Sequence, residues 1–405
     1  MRMSAVTHPY MEMDREGRIF WGLFGASVLR NLAVGAIMVF LPVYLYGLSG
    51  LWLVILWLLV TRFIDMLLMK DFARIIAKLG FKKSVLLGQL LWVVVMYFVN
   101  LGSDMPWAFL PAAILVTFAT SAYWIPYHLL FMSTSEKNFG KRASFLNVFA
   151  KWSNAIGPIL GGIITVRLGF SGVFWWSAVL MAAAAIPILI LEPEKLKWDF
   201  HLDHYWEKLS GSWFRRDMLA FVGLGIEQAM YDFFWPVFLL ILLKGSYMEL
   251  GAYKTAVLAV TSVVEIGIGR VIDRGGTRRL MMSAIGFMVL MWVMRGNFTD
   301  PWKLLAVDVF DGWLGVLVFL PFSVYTYRRA VISDRSLYLV ESEASSRFGG
   351  FLAALVVGIF YFFGIGWNGM IILGVLGMSL MAVLPKIGPK QFVQLSKKND
   401  QNSGL

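Results

Sequence analysis

The chain has 405 residues, of which 59% are hydrophobic and only 15% are charged, and its mean hydropathy is +0.71. This composition excludes an ordinary soluble globular protein, and the length allows about a dozen apolar segments of roughly 20 residues each. The net charge of +11 comes from basic residues scattered over short segments between apolar runs, so we expect no nucleic-acid partner. Because the chain has no cysteines, disulfides and thiolate metal sites are excluded.

The first apolar run follows a polar and charged segment, 1–18, and is too long for the core of a cleaved signal peptide. We therefore expect a cytoplasmic N-terminal segment followed by a true membrane span. Helices are expected rather than barrel strands, because the apolar runs are long and uninterrupted. Hydropathy predicts twelve of them in chain order: 19–46, 50–69, 83–100, 107–131, 144–166, 172–191, 217–243, 249–269, 280–295, 303–327, 347–365 and 368–386.

Basic residues concentrate in alternate loops between the predicted spans. Lysines and arginines are frequent after the second, fourth, eighth and tenth spans, whereas the loops YGLSG, NLGSDMP and GIGWNG contain none. By the positive-inside rule the basic loops and both termini are cytoplasmic, which an even number of spans permits. We expect a multi-pass protein of the cell (inner) membrane, embedded in the lipid bilayer as a monomer.

The longest polar stretch between spans, 192–216, divides the predicted helices into two sets of six. We expect an N-terminal six-helix bundle at 19–191, a cytoplasmic linker at 192–216, a C-terminal six-helix bundle at 217–388 and a cytoplasmic tail at 389–405. The linker contains His201, Asp203 and His204, but three potential ligands on an exposed segment are more often solvated side chains than a metal site. We therefore expect no metal and no cofactor.

The two halves resemble each other at a nearly constant offset. MPW at 105–107 corresponds to DPW at 300–302, and Pro126 corresponds to Pro321, both 195 residues apart. ARIIAKLGFKKSVL at 73–86 corresponds to GRVIDRGGTRRLMM at 269–282 with an offset of 196. Such a steady offset indicates a duplicated six-helix unit, as in carriers whose halves rock about a central site.

The segment GRVIDRGGTRR resembles the G-x-x-x-D-R-x-G-x-R loop motif of the major facilitator superfamily, between the expected spans eight and nine. The resemblance extends over almost the whole chain, through twelve spans, a central linker and a degenerate motif copy after span two. It implies an all-α membrane protein whose two six-helix bundles are related by pseudo-two-fold symmetry. It also implies transport of a small-molecule substrate by alternating access.

In that family the loop motif helps to lock one face of the transporter. The resemblance therefore implies a gating role for the motif residues of both copies: Gly269, Asp273, Arg274, Gly276, Arg278, Arg74, Lys78 and Gly80. The alternative is that these charges only set the topology. The first-half copy has Ala77 in place of the motif's aspartate, so the lock either rests on the second half or uses Asp71.

A second resemblance lies in span five, where NAIGPILGGI is similar to the G-P-x-x-G-G core of a motif in family members that export drugs by antiport with protons. It is carried by Gly157, Pro158, Gly161 and Gly162. The glycines allow two helix backbones to approach closely, and the proline permits a bend. Helix packing without any bearing on the direction of transport is an equal alternative.

Polar and ionisable side chains within the spans are candidates for binding substrate or protons, because such groups are costly at membrane depth. Arg30 lies twelve residues beyond Arg18, roughly 18 Å into a core about 30 Å thick. The candidates are Arg30, Asn31, Tyr123, Tyr127, Asn147, Lys151, Asn154, Glu227, Gln228, Asp232, Asp308 and Asp311. The tyrosines belong to span four, which offers an aromatic wall suited to apolar or cationic solutes.

The family resemblance implies that spans 1, 4, 7 and 10 line a central cavity and that spans 3, 6, 9 and 12 face lipid. We expect no ionisable residue in the interiors of the second set. A buried carboxylate such as Glu227 or Asp311 could bind and release a proton as access alternates, or it could form an ion pair with Arg30 or Lys151 that only holds helices together. On span two, Arg62 and Asp65 are expected to form an internal pair.

The leading hypothesis is a proton-coupled exporter of a small organic solute, working as an antiporter in efflux. The alternative within transport is an importer or facilitator of an organic anion or sugar. An enzyme is disfavoured because the sequence has no HExxH motif, no clustered histidines and no nucleotide-binding glycine loop. A transporter-like receptor would be expected to have a large soluble domain or a long tail.

Overall fold

The computed structural model describes residues 15–132, 139–190, 215–272, 277–331 and 335–385, and every regular element in these ranges is helical. The helices are α1 Arg15–Ser49, α2 Leu51–Leu79, α3 Phe81–Leu101, α4 Phe109–Met132, α5 139–168, α6 170–189, α7 Arg216–Leu242, α8 Tyr247–Ile272, α9 Thr277–Asn297, α10 Pro301–Val331, α11 Arg335–Phe362 and α12 Asn368–Met381. A 3₁₀ turn, Pro106–Ala108, precedes α4. Most of the predicted linker and the whole tail lie outside the described residues.

Nine stretches of the described chain are long and apolar enough to cross a membrane. One of them, Val148–Leu189, contains parts of both α5 and α6, which form a continuous segment broken only at Gly169. Gly169 has a φ of 70°, a conformation that other residues rarely adopt. With α8 and the shorter apolar helix α12, these stretches give the predicted all-α membrane protein of twelve helices.

Helix α7 is interrupted in its middle by a π turn, Met230–Phe234, before it continues from Trp235. Pro236 follows directly, and a proline has no backbone N–H to donate to the carbonyl group four residues earlier. That carbonyl belongs to Asp232, so the wider turn lies where the α-helical ladder loses a bond. π turns are frequent at functional sites, and this one places Tyr231 and Asp232 near the middle of α7.

The contacts between the two halves follow the six-helix repeat. Helix α2 packs against α11, and α5 packs against α8. Adding six to the number of each helix in one pair gives the helices of the other pair, as expected for halves related by a pseudo-two-fold axis. Helices α1 and α7, the first helices of the two halves, also touch.

The span-five motif packs α5 against two partners at once. Gly157 lies against the α1 backbone, where an added Cβ would come within 2.8 Å of the Gly35 Cα and of the Ala36 nitrogen. On the neighbouring face, an added Cβ at Gly251 of α8 would come within 2.5 Å of the Pro158 carbonyl oxygen. These contacts require the absence of side chains, so glycine on both helices lets the halves meet closely.

The end of the molecule where α1 finishes and α2 begins is sealed by apolar contacts between the halves. One buried cluster combines three side chains of α1 with three of α7: Val39, Phe40, Val43, Trp235, Leu239 and Leu240. Trp52 of α2 makes an edge-on ring contact with Tyr361 of α11 at 5.2 Å. This sealed end lies opposite the basic loops.

Replacing Gly251 with alanine is predicted to force α5 and α8 apart, because the new methyl group would overlap the Pro158 carbonyl. Overpacking of this kind costs about 1–3 kcal/mol of unfolding free energy. The matched control is Gly286→Ala in α9, where nothing lies within 4 Å of an added Cβ. Denaturation of the purified variants should show a loss for Gly251→Ala only, and equal stability of the two would contradict the described α5–α8 contact.

Candidate functional site

Arg30 lies in a buried polar position of the first half and is only 3% exposed. Its Nη1 donates to the Gln89 Oε1 of α3 at 3.4 Å and approaches the Met181 sulfur of α6 at 3.8 Å. Neither partner carries a charge. Among the described residues, no carboxylate lies within ion-pair distance of this guanidinium.

Aromatic rings surround the same guanidinium. The Arg30 Cζ lies 3.9 Å from the ring centroid of Tyr123, 5.6 Å from that of Trp124 and 5.7 Å from that of Trp92. Tyr127 stacks on Tyr123 at 5.2 Å. Of the two predicted tyrosines, Tyr123 therefore holds the buried cation by a cation–π contact, and Tyr127 packs against Tyr123. A positively charged group placed in this way can bind an anionic or acceptor group.

The second half contains a different arrangement, in which Arg295 of α9 lies between two carboxylates of α10. Its Nε donates to Asp308 Oδ1 and its Nη2 to Asp311 Oδ2, each at 2.8 Å, and all three residues are buried. The other oxygen of Asp308 accepts from the Trp235 indole at 2.7 Å and from the Tyr253 hydroxyl at 2.9 Å. Asp308 thus joins α7, α8, α9 and α10, whereas Oδ1 of Asp311 has no hydrogen-bond partner among the described residues.

This arrangement corrects one prediction. Arg295 lies at the end of the predicted span nine, outside its interior, where it is 1% exposed and paired with both carboxylates. Asp311 does form an ion pair, but with Arg295 rather than with Arg30 or Lys151. The physical reason is that α9 and α10 are neighbours in the same half, so their charges meet without crossing to the first half.

Glu227 of α7 is 4% exposed, and no positively charged group of the described chain lies within ion-pair distance of it. Its electrostatic neighbours include Asp232, Asp311 and Arg295. Gln228, the next residue, is partly buried. A nearby cation is Lys254 of α8, which is 5% exposed and has its Nζ 4.4 Å from the ring centroid of Tyr231.

A buried ion pair joins the two halves near the middle of α2 and α11. Asp65 of α2 is 3% exposed, and its Oδ2 lies 3.1 Å from the Nε of Arg347 on α11. Its other oxygen accepts from the Ser121 hydroxyl of α4 at 3.3 Å. The predicted internal pair between Arg62 and Asp65 is therefore wrong, because Asp65 pairs with the facing helix instead.

The remaining candidates of the first half lie on α1 and α5. Asn31 donates to the Ser27 carbonyl within α1 at 2.8 Å. Lys151 is exposed and lies seven residues, about two turns, before Pro158. It therefore shares the face of α5 that meets α8, although the contact itself is made further along the helix. Asn154 is partly buried, and its side-chain oxygen lies beside Gly35 of α1, while the side chain of Asn147 lies outside the described residues.

The gating candidates are described only in part. Asp273, Arg274 and Gly276 lie outside the described residues, and of Gly269 only the helical backbone is described. Arg278 donates from Nη2 to the Leu384 carbonyl at 2.8 Å, which ties the start of α9 to the end of α12.

In the first copy of the motif, Arg74 lies 3.6 Å from Asp71, and both side chains are about half exposed. Gly80 has a φ of 80° in the turn between α2 and α3. Lys78 is exposed in the last turn of α2.

The residues of these clusters that were not predicted from the sequence include Gln89, Lys254, Arg295 and Arg347. Lys254 and Arg295 lie within seven residues of helix ends. A cation at such a position is normally assigned to the membrane–water interface or to a loop. A polar residue between apolar runs was the only signal for Gln89. Arg347 is the first residue of the predicted span 347–365. A basic residue at that position is normally interpreted as one that sets the orientation of the span in the membrane.

Two six-helix halves that meet around buried charges define a multi-pass membrane carrier. A model of the Major Facilitator Superfamily matches residues 72–291, more than half of the chain, so the protein belongs to this family. It is a transporter of the secondary-transporter kind and not an enzyme.

Comparison with solved structures supports the same fold. A crystal structure of a D-xylose–proton symporter aligns over 92% of this chain and 98% of its own, with a TM-score of 0.70. At 12% sequence identity this likeness shows the fold alone. No curated protein sequence matches the chain.

Replacing Arg295 with methionine is predicted to destabilise the protein by about 3–5 kcal/mol, because it leaves two buried carboxylates without a counter-charge. Adding Asp308→Asn and Asp311→Asn to that variant should restore part of the loss. Lys303→Met, which removes an exposed cation from the start of α10, is the control. Chemical denaturation measures all three, and a wild-type stability for Arg295→Met would contradict the described pairing.

The Asp65–Arg347 pair is tested by a double-mutant cycle with Asp65→Asn and Arg347→Gln. The double variant should lose less stability than the sum of the losses of the two single variants, and the difference, the coupling free energy, should be about 0.5–3 kcal/mol. A cycle of Asp71→Asn and Arg74→Gln, an exposed pair on α2, should couple more weakly. Additive effects at Asp65 and Arg347 would show that the two halves are not linked there.

Proposed function

We propose that this protein exchanges a small organic solute for protons across the cell membrane by alternating access. In this proposal Arg30 binds the solute in the first half, and a carboxylate of the second half binds the proton. The single observation that carries the proposal is the contrast between the halves. Arg30 is a buried cation with no carboxylate among its described partners, whereas Glu227 is a buried carboxylate with no cation of the described residues at ion-pair distance.

The environment of Arg30 supports a solute with an anionic or strongly accepting group. An uncompensated charge in a low-dielectric environment is costly, and a bound carboxylate or similar group would offset that cost. The neighbouring rings of Tyr123, Trp124 and Trp92 would contact an apolar or aromatic body. We therefore propose an organic anion, or a solute rich in acceptor oxygens, as the substrate.

Glu227 is the preferred proton-binding group, and Asp311 is the second choice. Asp308 is the least suitable, because both of its oxygens already accept hydrogen bonds from Arg295, Trp235 and Tyr253. Asp311 has one oxygen without a partner among the described residues. Within the described part of the chain Glu227 has no ion pair to break before it binds a proton, so protonation there disturbs the packing least.

Alternating access requires the sealed end to open while the halves remain joined elsewhere. The sealed end is closed by apolar side chains and by glycine contacts between α5 and α8, which can separate without breaking an ion pair. The Asp65–Arg347 pair lies deeper and would serve as the pivot about which the halves turn. We propose that both termini and the basic loops face the cytoplasm, which places the sealed end outside.

Outward transport is the direction that we propose, and it rests on the resemblance of Gly157, Pro158, Gly161 and Gly162 to the core of an antiporter motif. The environment of Arg30 favours an organic anion as the substrate, whether the protein moves it outward or inward. Uptake of such an anion would use the same solute site at Arg30 and the same proton site at Glu227. The two directions differ in the sign of the pH gradient that drives accumulation in vesicles.

The proposal is tested first by thermal-stability screening of the purified protein with small organic anions, sugars and apolar cations. Compounds that stabilise the protein are then used for transport in proteoliposomes with an imposed pH gradient. Glu227→Gln should still bind the compound but lose transport driven by the gradient, whereas Glu249→Gln, at the exposed start of α8, should retain it. Gradient-driven transport by Glu227→Gln at the wild-type rate would remove Glu227 from the mechanism.

Arg30→Gln should lose stabilisation by the same compounds, and Arg30→Lys should retain part of it, because a lysine keeps the charge but not the planar donor fork. We expect a weakening of at least about tenfold for Arg30→Gln, since a hydrogen bond to a charged group contributes about 1.5–3 kcal/mol. Arg167→Gln, an exposed site at the end of α5, is the control. Unchanged binding by Arg30→Gln would overturn the assignment.

A further inference from the structure

Two opposite charges from different halves lie at the same depth below the sealed end. Arg62 is eleven residues after Leu51, where α2 begins, and Asp232 is ten residues before Leu242, where α7 ends. At a rise of about 1.5 Å per residue, each lies roughly 15 Å along its helix from the sealed end. Both side chains are partly exposed, although the apolar cluster of α1 and α7 closes that end of the molecule.

The Arg62 side chain points into the seam between the halves. A Cβ added at Gly350 of α11 would come within 3.2 Å of its Nε, and its Cζ lies 5.9 Å from the ring centroid of Phe233 in α7. Phe233 directly follows Asp232 in the π turn. The guanidinium of the first half therefore approaches the turn of the second half that carries this carboxylate.

Asp232 is the acidic neighbour of Arg62 that lacks a partner of its own. The carboxylates whose charges act on Arg62 are Asp65, Asp232 and Glu343. Arg347 holds two of them, because its Nε lies 3.1 Å from Asp65 and its Nη2 lies 3.1 Å from Glu343. Within the described ranges, neither Arg62 nor Asp232 forms an ion pair or a hydrogen bond. They are therefore neighbours of opposite charge that lie farther apart than an ion pair.

A third charge, Lys254 of α8, lies on the other side of Asp232. Its Nζ is 4.4 Å from the ring centroid of Tyr231, the residue before Asp232. Its other charged neighbours are those of the paired cluster on α9 and α10: Arg295, Asp308 and Asp311. Together with Lys254 that cluster has two positive and two negative charges. Lys254 is therefore balanced within the second half, which leaves Arg62 and Asp232 as one cation and one anion.

Separated charges of opposite sign favour a ligand that carries both signs, because each unpaired charge at membrane depth is costly. A carboxylate beside Arg62 would offset one charge but would be repelled by Asp232, and an ammonium beside Asp232 would meet the reverse problem. A zwitterion offsets both charges and brings no net charge with it. Glu227, a further acidic neighbour, adds a negative charge only when it has released its proton. The rings of Tyr231 and Phe233 flank Asp232 and would contact an ammonium or an apolar group.

We propose that Arg62 and Asp232 bind a zwitterion of the α-amino-acid type across the seam, with its carboxylate at Arg62 and its ammonium at Asp232. Such a ligand would connect α2 with α7 just below the sealed end, and it would stabilise the sealed conformation. The site goes beyond the proposed function, because it assigns no contact with the ligand to Arg30 or Glu227.

The test compares three probes that share a phenyl group: L-phenylalanine, 3-phenylpropanoate, which lacks the ammonium, and 2-phenylethylamine, which lacks the carboxylate. Binding to the full-length protein in lipid nanodiscs is measured by ligand-observed NMR, with empty nanodiscs as the reference for partition into lipid. The protein carries Arg30→Gln, so that the anion site proposed at Arg30 does not contribute. L-Phenylalanine should bind at least about tenfold more tightly than either other probe, because each of those lacks one charge-assisted contact. Equal binding of all three, or tighter binding of a probe with a single charge, would overturn the proposal.

Two further changes in the same protein locate the site by reversing the preference. Asp232→Asn leaves the cation alone, so 3-phenylpropanoate should bind best, whereas Arg62→Gln leaves the anion alone, so 2-phenylethylamine should bind best. Asp104→Asn and Arg167→Gln change exposed residues of the same types and should keep the preference for L-phenylalanine. A loss of stability alone does not reverse a preference among probes. If Asp232→Asn and Arg62→Gln keep the original order, the two side chains do not bind the zwitterion.

Discussion

The cost of burying charge in a membrane is the constraint on which this structure depends, and its two halves meet that cost in different ways. In the second half, Arg295 is held between Asp308 and Asp311, and Asp308 is saturated with hydrogen bonds from three other helices. In the first half, Arg30 is held by rings and by neutral acceptors. A paired cluster stabilises a fold, whereas a cation held without a carboxylate is available for a ligand.

In our proposal this difference gives the two halves separate roles, although their helices pack as a repeat. The contacts at the seam keep the symmetry of the duplication, since α2–α11 and α5–α8 are equivalent pairs. The buried charges do not keep it, because the residues about 195 positions beyond Arg30 are apolar or glycine. The repeat thus extends to the packing of the helices and not to the buried charges.

Most of the fold could be predicted from the sequence, because each span must satisfy its own backbone and therefore shows as an apolar run. Helix lengths were predicted less well than helix positions. Helix α2 continues to Leu79, beyond the predicted end at 69, because its basic residues end the apolar run but do not interrupt the backbone hydrogen bonds of the helix. Glycine at Gly157 and Gly162 indicated close packing, but not that α1 and α8 were the partners.

The candidate site was predicted less completely, because pairing between helices depends on their arrangement in space. Sequence placed Arg30, Glu227 and Asp311 at membrane depth, yet the partner of Asp311 lies on a helix expected to face lipid. Asp65 had a cation three residues away on its own helix, and it pairs instead with Arg347 across the seam. Periodicity identifies which face a residue occupies, but a neighbouring helix decides which charge it meets.

The proposed transport requires that Arg30 and Glu227, which are 3% and 4% exposed in the described structure, become accessible to an aqueous space between the halves that opens to one side of the membrane at a time. Because the chain has no cysteines, single cysteines at the neighbouring positions Asn31 and Gln228 can be labelled with a charged, membrane-impermeant thiol reagent. The account predicts that both react from either side, that a stabilising solute shifts the preferred side, and that a cysteine at lipid-exposed Leu376 does not react. If Asn31 and Gln228 are as unreactive as Leu376 from both sides, the shared aqueous space does not exist.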